Sequence, residues 1–518
     1  MKRTFALLFL LIFLISCAPP TAPTSPRIWW RDAIFYEIFV RSFKDSNGDG
    51  IGDFNGVTSK LDYLQSLGID AIWLMPINPS PSYHGYDVLN YYAVNPQYGT
   101  IDDFKNLLNQ AHQKGIRIII DLVLNHTSSQ HPWFVDARAN PNATYRDWYV
   151  WSETGQGNHW YKSQNSYYYA YFWEGMPDLN YNNPNVTAQM EKVTAYWLTT
   201  IGVDGFRIDA AKHLIEEGNK LENTPTTHTW FKNYEAFYKA EKPDAYVVGE
   251  VSGAGGLIAK TYAGQMDQIF NFELANAIVN SVIGGGTSSV TSAFKFALQE
   301  KPDGNYATFL TNHDQNRVMG VLNSLGKAKV AASLLLTAPG TPFIYYGEEV
   351  GMKGQKPDED IRLPMQWTAD PLTAGFTTGT PWRAPQADTV KMNVAAEEQD
   401  PVSLLNHYRA LTALRKQYPS LRTGSLTLIE TGHRAVFASL RMEGQEMILV
   451  LVNLSSEPVS DYRLSLDDSV LPDGAYSPTL IFGSGKLAPL QVNNGKFNAY
   501  LPQPELAPFS TMIVLLNH

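Results

Sequence analysis

Residues 205–213 of this chain read Gly205-Phe206-Arg207-Ile208-Asp209-Ala210-Ala211-Lys212-His213. An apolar run leads into this stretch and predicts a β-strand. Residues two apart in a strand share one face, so Arg207 and Asp209 point the same way. If the strand ends in a pocket, the arginine holds the aspartate ionised, as a covalent nucleophile must be.

Three other segments close strand-like runs with residues suited to the same site. They are Asp121-Leu122-Val123-Leu124-Asn125-His126, Val247-Val248-Gly249-Glu250-Val251 and Phe309-Leu310-Thr311-Asn312-His313-Asp314. One such motif would be weak evidence. Four of them in this order indicate one site assembled from distant parts of the chain.

Strand-like and helix-like patterns alternate from Ala33 onward. The eight strand candidates are residues 33–40, 71–77, 116–124, 203–208, 246–251, 268–272, 307–311 and 343–346. Most are continuous apolar runs, which is typical of strands covered on both faces. Helical patterns lie between several of them, at residues 56–67, 101–114, 187–200 and 228–241. This α/β pattern favours a (β/α)8 barrel over a doubly wound sheet, for which no Gly-rich phosphate loop is present.

The barrel pattern is interrupted after the third strand and ends before the C-terminus. About 60 residues separate that strand from the helix before the fourth, far more than an ordinary loop. We therefore predict an inserted subdomain at residues 127–182, within a catalytic domain at 29–420. Residues 133–173 hold fourteen aromatic side chains, expected to form mostly the subdomain's own core, with one or two at the substrate. Short apolar runs broken by turn residues predict a C-terminal antiparallel β-sandwich at 421–518.

Composition narrows the classes of partner. The 518 residues carry a net charge of −10 and are 44% hydrophobic. There is no run of lysine or arginine, which argues against nucleic-acid binding. The chain is expected to act as a monomer on an uncharged substrate.

The N-terminus predicts export and a lipid anchor. Lys2 and Arg3 precede an apolar run at residues 5–15, too short to span a bilayer but suited to a signal peptide. Leu14-Ile15-Ser16-Cys17 resembles a bacterial lipoprotein signal, which implies cleavage after residue 16 and lipidation of Cys17. Residues 17–28 then form a Pro-rich tether that holds the protein at the extracellular face of the cell envelope. The alternative is an ordinary secretory signal.

In order and approximate spacing, the four motifs resemble the signature regions of glycoside hydrolase family 13, the α-amylase family. The resemblance implies Asp209 as nucleophile, Glu250 as general acid/base and Asp314 as transition-state stabiliser. Retaining cleavage needs one carboxylate to attack the anomeric carbon and a second, about 5–5.5 Å away, to protonate the leaving oxygen. Glu250 follows an apolar run, where partial desolvation would raise its pKa as a general acid requires.

The resemblance also implies contacts to the substrate. His126 and His313 match histidines that hydrogen-bond sugar hydroxyls, and Arg207 matches the arginine that orients the nucleophile. Tyr86 matches the aromatic platform under the sugar next to the cleaved bond. These assignments place the reacting glucose between the ends of several barrel strands.

Two residue pairs bear on where the substrate is cut. Lys212 and His213 resemble the pair that α-amylases carry on the leaving-group side, which favours internal cleavage. If Asp87 and Arg362 pair across the pocket, they close its non-reducing end and favour release of glucose or short products. The segment Met176-Pro177-Asp178-Leu179-Asn180 is similar to a signature of members intermediate between oligo-1,6-glucosidases and neopullulanases.

Two calcium sites are expected. The first is a loop that places oxygen ligands at alternate positions, a spacing suited to a hard cation, at Asp45, Asn47, Asp49, Ile51 and Asp53. The second, implied by the resemblance, lies between barrel and insertion. Its ligands would be Asn125, Asp178 and the backbone carbonyl of His213.

These observations predict an extracellular α-amylase that hydrolyses α-1,4-glucosidic bonds of starch and maltooligosaccharides with retention. An exo-acting α-glucosidase or oligo-1,6-glucosidase, or a cyclomaltodextrinase or neopullulanase, is the alternative. The same site could also serve a transglycosylase or a trehalose-forming isomerase. A non-catalytic glycan-binding lipoprotein is a different class, and the intact trio of carboxylates argues against it.

Overall fold

The computed structural model describes residues 28–253, 260–301 and 303–518. The predicted signal peptide, Cys17 and nearly all of the tether lie outside the described residues. Among the helices in those ranges, none combines the length and apolar character needed to cross a membrane.

A parallel sheet of eight strands forms the centre of the described chain and confirms the predicted barrel. The eight strands are β1 (Phe35–Ile38), β2 (Ala71–Leu74), β3 (Arg117–Leu122), β7 (Gly205–Ile208), β8 (Tyr246–Gly249), β9 (Gln268–Ile269), β10 (Ala307–Thr308) and β11 (Thr341–Tyr345). Neighbouring strands follow the order β10-β11-β1-β2-β3-β7-β8-β9, and a parallel bridge between Phe270 and Ala307 joins the two ends of the sheet.

Helices occupy much of the sequence between the strands and after them. The longer α-helices are Ile101–Gln113, Pro184–Ala195, Pro225–Glu241, Phe272–Gly284, Ser288–Glu300, Leu325–Thr337 and Leu404–Gln417. The shorter ones are Trp29–Asp32, Val40–Phe43, Phe54–Thr58, Leu61–Ser66, Pro132–Ala137, Val318–Leu322, Asp358–Ile361, Val394–Glu397 and Pro419–Arg422. The helix predicted at 56–67 is therefore two short helices. The pattern predicted at 187–200 is an α-helix that continues as a π-helix, Tyr196–Ile201.

Local sequence explains where several of these elements begin and pair. Thr224 caps the helix Pro225–Glu241 by accepting the amide N–H of Thr227, and the proline supplies the fixed φ of a first helical turn. At the start of β7, a Cβ on Gly205 would lie 1.8 Å from the carbonyl oxygen of Tyr246 on β8. Only glycine allows the two strands to approach this closely.

The insertion after β3 contains a small antiparallel sheet, in the order β4-β6-β5. Its strands are β4 (Trp151–Ser152), β5 (Trp160–Ser163) and β6 (Ser166–Tyr169). Most of its rings pack on one another; Phe134, for example, lies 5.8 Å from the Trp151 ring and 4.9 Å from that of Tyr168. Phe172 and Trp173 are 45% and 46% exposed and line the cleft described below.

The C-terminal part is antiparallel and has its own hydrophobic core. A six-stranded sheet in the order β12-β13-β14-β19-β16-β17 lies beside the pair β15-β18. These strands are β12 (Ser425–Leu428), β13 (Val436–Glu443), β14 (Glu446–Asn453), β15 (Leu464–Leu466), β16 (Gly474–Phe482), β17 (Leu490–Val492), β18 (Phe497–Tyr500) and β19 (Thr511–Asn517). Many of its buried side chains form a separate cluster, whereas others, such as Phe437, Ile448 and Val450, pack into the barrel core.

Candidate active site

Arg207 is the electrostatic centre of the barrel's carboxyl-terminal end. Its side chain is 1% exposed, and it donates through Nη1 to Asp209 Oδ1 at 2.8 Å and to Asp121 Oδ1 at 3.0 Å. Nη2 donates to Glu250 Oε2 at 2.6 Å. The parallel register pairs Asp121 with Arg207 and Arg207 with Val248, so the ends of β3, β7 and β8 deliver all three carboxylates to one guanidinium.

Asp209 and Glu250 share one environment, in which burial favours the neutral form of each carboxyl and Arg207 favours the ionised form. Burial raises the pKa of Glu250, Arg207 lowers it, and the charges of Asp209 and Asp314 raise it further. Burial likewise raises the pKa of Asp209, and the charge of Arg207 lowers it. The backbone N–H of Ala210, whose φ of 48° is left-handed, donates to Glu250 Oε2 at 3.3 Å. One carboxyl can therefore stay protonated while its neighbour is ionised.

Asp314 reaches the same cleft from the segment after β10. Arg362 Nη2 donates to its Oδ1 at 2.9 Å, and His313 Nε2 lies 3.1 Å from its Oδ2. Burial alone would raise the pKa of Asp314, but the charges of His313 and Arg362 bring it well below the usual range. These contacts favour the anionic form of Asp314, which lines the same cleft as Asp209 and Glu250.

The cleft above these carboxylates encloses about 310 Å³ and is open to solvent. Of the predicted site residues, those that line it are Tyr86, His126, Asp209, Lys212, His213, Glu250, Asp314 and Arg362. Burial lowers the pKa of His126 to about 4, so this imidazole is neutral. Lys212 pairs with Glu222 Oε2 at 2.7 Å and is 14% exposed. The cleft thus combines the charged trio with neutral hydrogen-bonding groups and aromatic surface, as a sugar site requires.

The condition that Asp87 pairs with Arg362 is not met in the structure. Asp87 is buried and accepts hydrogen bonds from the hydroxyls of Ser80 and Ser82. Arg362 Nη2 instead contacts Asp314, and Asp358 at 3.3 Å. The serine hydroxyls already satisfy Asp87, and two nearer carboxylates occupy the guanidinium.

Two buried carboxylates of the site were missed by the sequence reasoning. Asp121 lies within one of the four motifs, but the motif does not predict its contact with Arg207; burial raises its pKa to about 7. Glu37, on β1, lies 2.5 Å from His313 Nδ1 through its Oε1. The sequence carries the same indication for both residues: each is a charged residue inside an apolar run that predicts a buried strand.

In the first predicted calcium loop, most of the proposed ligand side chains accept hydrogen bonds from backbone N–H groups of the same segment. Asp45 accepts backbone N–H groups through both carboxylate oxygens, and Asp53 caps the helix Phe54–Thr58. Asn47 and Asp49 each accept the N–H two residues on, the latter from Ile51 at 2.8 Å. Each of these oxygens keeps a second lone pair, so the hydrogen bonds shape the loop without excluding a cation, and the first calcium site stays a prediction.

The second predicted site fits a cation better. Asn125 Oδ1 and Glu216 Oε1 are buried and have no hydrogen-bond partner in good geometry among the described residues, although the Tyr169 hydroxyl interacts with the Glu216 carboxyl. Asp178 lies beside them and accepts from Asn125 Nδ2 at 3.0 Å. Burial, reinforced by the Glu216 charge, raises the pKa of Asp178 well above its usual range. Glu216 was not predicted, and its proximity to Asp178 arises only in the folded chain.

Across the part of the chain that the structure describes, no three His, Cys, Asp or Glu side chains form a cluster able to hold a metal. An ion at the second site would therefore also use amide, carbonyl or water oxygens, which Ca²⁺ accepts. The ring of His213 stacks on that of Tyr171, with centroids 3.8 Å apart, and the backbone N–H of Tyr171 donates to Asp178.

Comparison with known proteins agrees with this site. The protein-family model described as "Alpha amylase, catalytic domain" matches residues 37–424 of this chain. Alpha-amylase 3 of Dictyoglomus thermophilum is 44% identical over 466 residues, covering 88% of this chain and 90% of that protein. An oligo-1,6-glucosidase of Parageobacillus thermoglucosidasius is 31% identical, covering 83% and 91%. The crystal structure of an α-amylase from H. orenii is 39% identical with a TM-score of 0.82, covering 94% of this chain and 99% of that one. The chain therefore belongs to the α-amylase family of glycoside hydrolases, family 13.

Proposed function

We propose that this enzyme is an α-amylase that hydrolyses internal α-1,4-glucosidic bonds of starch and maltooligosaccharides with retention. The observation that carries the proposal is the sharing of one buried guanidinium by Asp209 and Glu250, opposite the anionic Asp314. A relative named α-amylase, 44% identical, supports the substrate class.

The mechanism follows from the charge of each group. Glu250, whose pKa is raised by burial, donates its proton to the glycosidic oxygen as the bond to the leaving sugar breaks. Asp209 attacks the anomeric carbon from the other face and forms a glycosyl-enzyme. Glu250, now a carboxylate, takes a proton from water, and the resulting hydroxide displaces Asp209 to restore the original configuration. Asp314 stabilises the positive charge that develops on the sugar ring in both steps.

Internal cleavage is supported by the leaving-group side of the cleft. Lys212 and His213 line that cleft together with the exposed rings of Phe172 and Trp173. Aromatic faces and a lysine at an open rim suit further glucose units beyond the cleaved bond. We expect starch to lose iodine staining early, with several maltooligosaccharides formed together from maltoheptaose, as measured by chromatography. Accumulation of glucose alone at unchanged viscosity would contradict internal cleavage.

An exo-acting α-glucosidase is the second candidate, because Arg362 and Asp358 form an ion pair at the cleft. Such a pair can close the non-reducing end of a site, and the relative named oligo-1,6-glucosidase covers 83% of this chain. The same chromatograms, extended to β-cyclodextrin and pullulan, distinguish the two candidates and reveal any transglycosylation.

We also propose that Ca²⁺ binds at Asn125, Asp178 and Glu216, where it would neutralise two buried carboxylates and fasten the insertion to the barrel. Removing calcium with a chelator should lower the thermal midpoint by several degrees, because ligand binding stabilises the folded state. In Glu216→Gln the thermal midpoint should depend much less on calcium. Glu217 is an exposed neighbour, so the control variant Glu217→Gln should keep the calcium dependence of the unsubstituted enzyme. A midpoint that ignores calcium in the unsubstituted enzyme would exclude the site.

The predicted anchor remains a proposal that rests on residues 1–28 of the sequence. We propose that Cys17 carries lipid and holds the enzyme at the outer side of the cell envelope. The enzyme expressed in a bacterium should enter the detergent phase on extraction, and Cys17→Ala should move it to the aqueous phase. Equal partitioning of the two proteins would refute lipidation.

A further inference from the structure

Glu37 is a buried carboxylate on β1 that the mechanism above does not use. It is 2% exposed and pairs in register with Trp73 of β2 and Tyr345 of β11. Its Oε1 lies 2.5 Å from Nδ1 of His313, which is fully buried. A carboxylate in this position orients an imidazole and favours its charged form.

The other nitrogen of His313 faces the catalytic cleft. Nε2 lies 2.6 Å from the hydroxyl of Tyr86 and 3.1 Å from Oδ2 of Asp314. The Tyr86 hydroxyl in turn lies 3.1 Å from Oδ2 of Asp121. A continuous row of contacts therefore runs from Glu37 through His313 and Tyr86 to the carboxylate that holds Arg207.

The number of protons in this row decides the state of His313. A neutral imidazole with its proton on Nδ1 must accept the single proton of Tyr86 at Nε2. Asp121 would then lose the tyrosine as a donor, and Asp314 would face a lone pair. An imidazolium donates from both nitrogens, so Tyr86 can donate to Asp121 while the single Nε2 proton is shared between the Tyr86 hydroxyl and Asp314.

The surrounding charges act in the same direction. His313 is faced by Glu37 from β1, by Asp121 from β3, by Asp209 after β7 and by Asp314 on its own segment. The opposing cations are Arg207 and Arg362, and the latter donates through Nε to the His313 carbonyl at 2.9 Å. Burial lowers the pKa of His313, but Asp314 and Glu37 raise it to about 9.

We propose that Glu37 is a positioning residue that keeps His313 in the imidazolium form, so that His313 holds Asp314 and Tyr86 in their catalytic arrangement. The catalytic part of this inference rests on the proposed function. Loss of the proton would turn Nε2 into an acceptor for Tyr86, releasing Asp314 from one of its donors. Glu37 would thereby set the upper limit of the pH range in which the site is assembled.

Glu37→Gln tests the charge separately from the shape, because the amide keeps an acceptor oxygen for Nδ1. The titration of His313 is followed by NMR with ¹³C-labelled histidine, its resonance among the 11 histidines being assigned with His313→Asn. Removing one neighbouring charge should lower the pKa of His313 by about one unit or more. The alkaline limb of kcat/KM on a maltooligosaccharide contains the loss of the Glu250 proton and, on this proposal, that of His313 as well. The His313 contribution should move to lower pH in Glu37→Gln, while the acid limb stays in place.

Glu349→Gln is the matched control. Glu349 is also buried and accepts from the hydroxyls of Tyr36 and Tyr63 at 2.7 and 2.6 Å, without contacting His313 or the cleft. This variant should leave both the His313 titration and the alkaline limb unchanged. Equal shifts in the two variants would overturn the proposal, since any lost buried carboxylate would then produce the effect.

The remaining outcomes are equally decisive. If His313 titrates near its ordinary pKa of about 6.5 in the unsubstituted enzyme, the proposal fails even when Glu37→Gln does not fold. If the His313 titration moves but the alkaline limb does not, the charged imidazole is not needed for catalysis and the proposal also fails. An enzyme inactive on α-glucans would refute the proposed function, whereas the NMR titration would still report on His313.

Discussion

Asp209→Asn is expected to lower kcat/KM on starch by a factor on the order of 10⁴–10⁶, the range seen when a covalent nucleophile is removed. The amide keeps the size of the side chain and can still contact Arg207, but it cannot form the glycosyl-enzyme. Affinity for maltooligosaccharides should be retained, because the rest of the cleft is unchanged. Steady-state kinetics and calorimetric binding measure the two effects separately.

Asp204→Asn provides the control at the opposite end of the same strand. Asp204 precedes β7, is buried, and contacts His112 at 2.7 Å and Arg117 at 3.1 Å, far from the cleft in the fold. Its loss should cost stability but leave kcat within a few-fold of the unsubstituted enzyme. A folded Asp209→Asn enzyme that retains near-normal turnover would remove Asp209 as nucleophile.

Arg207→Met is expected to combine loss of activity with a loss of about 3–5 kcal/mol in the free energy of unfolding. The methionine fills similar volume but leaves Asp121, Asp209 and Glu250 buried without their shared cation. Burial would then raise the pKa of each carboxyl without opposition. Chemical denaturation measures the change in stability.

The effect of Arg207→Met should depend on pH in a defined direction. A carboxyl whose folded pKa lies above its unfolded value of about 4 destabilises the fold once the pH rises through the folded pKa. The variant should therefore approach the stability of the unsubstituted enzyme as the pH falls toward about 4, and lose it as the pH rises to neutrality.

Arg415→Met is the matched control for that dependence. Arg415 is fully buried, but it donates to the backbone carbonyls of Leu336, Ala338, Gly340 and Leu421. Its loss should destabilise the protein by an amount that changes little over the same acidic range, since no carboxylate loses its direct partner. A loss of stability in Arg207→Met that is equally insensitive to pH would show that the three carboxylates are not held by its charge.

The fold could be predicted from the chain because its signals are local. Continuous apolar runs mark strands buried on both faces, and eight of them alternating with helical patterns leave few arrangements other than a closed barrel. Strand ends were less predictable. The run 307–311 contains only two residues of regular strand, Ala307–Thr308, since its later residues turn into the cleft with His313 and Asp314.

The site was predicted where its residues sit in recognisable motifs, and missed where a contact crosses the barrel. The partners of Arg362 could not be predicted, because nothing in its segment reveals that Asp314 and Asp358 are nearer than Asp87. Glu37 and Glu216 lie outside the four motifs. The importance of Glu37 comes from its contact with His313, which is 276 residues away in the chain.

The side chains available for catalysis, and their position at the ends of barrel strands, can be predicted from the chain because periodicity and motif order are properties of neighbouring residues. Which charges share a partner emerges only in the folded barrel: Arg207 among three carboxylates, Arg362 with Asp314 and Asp358, and Glu37 with His313. Protonation and ion pairing depend on distances of a few ångströms between groups far apart in the chain, and those distances exist only after the barrel has closed.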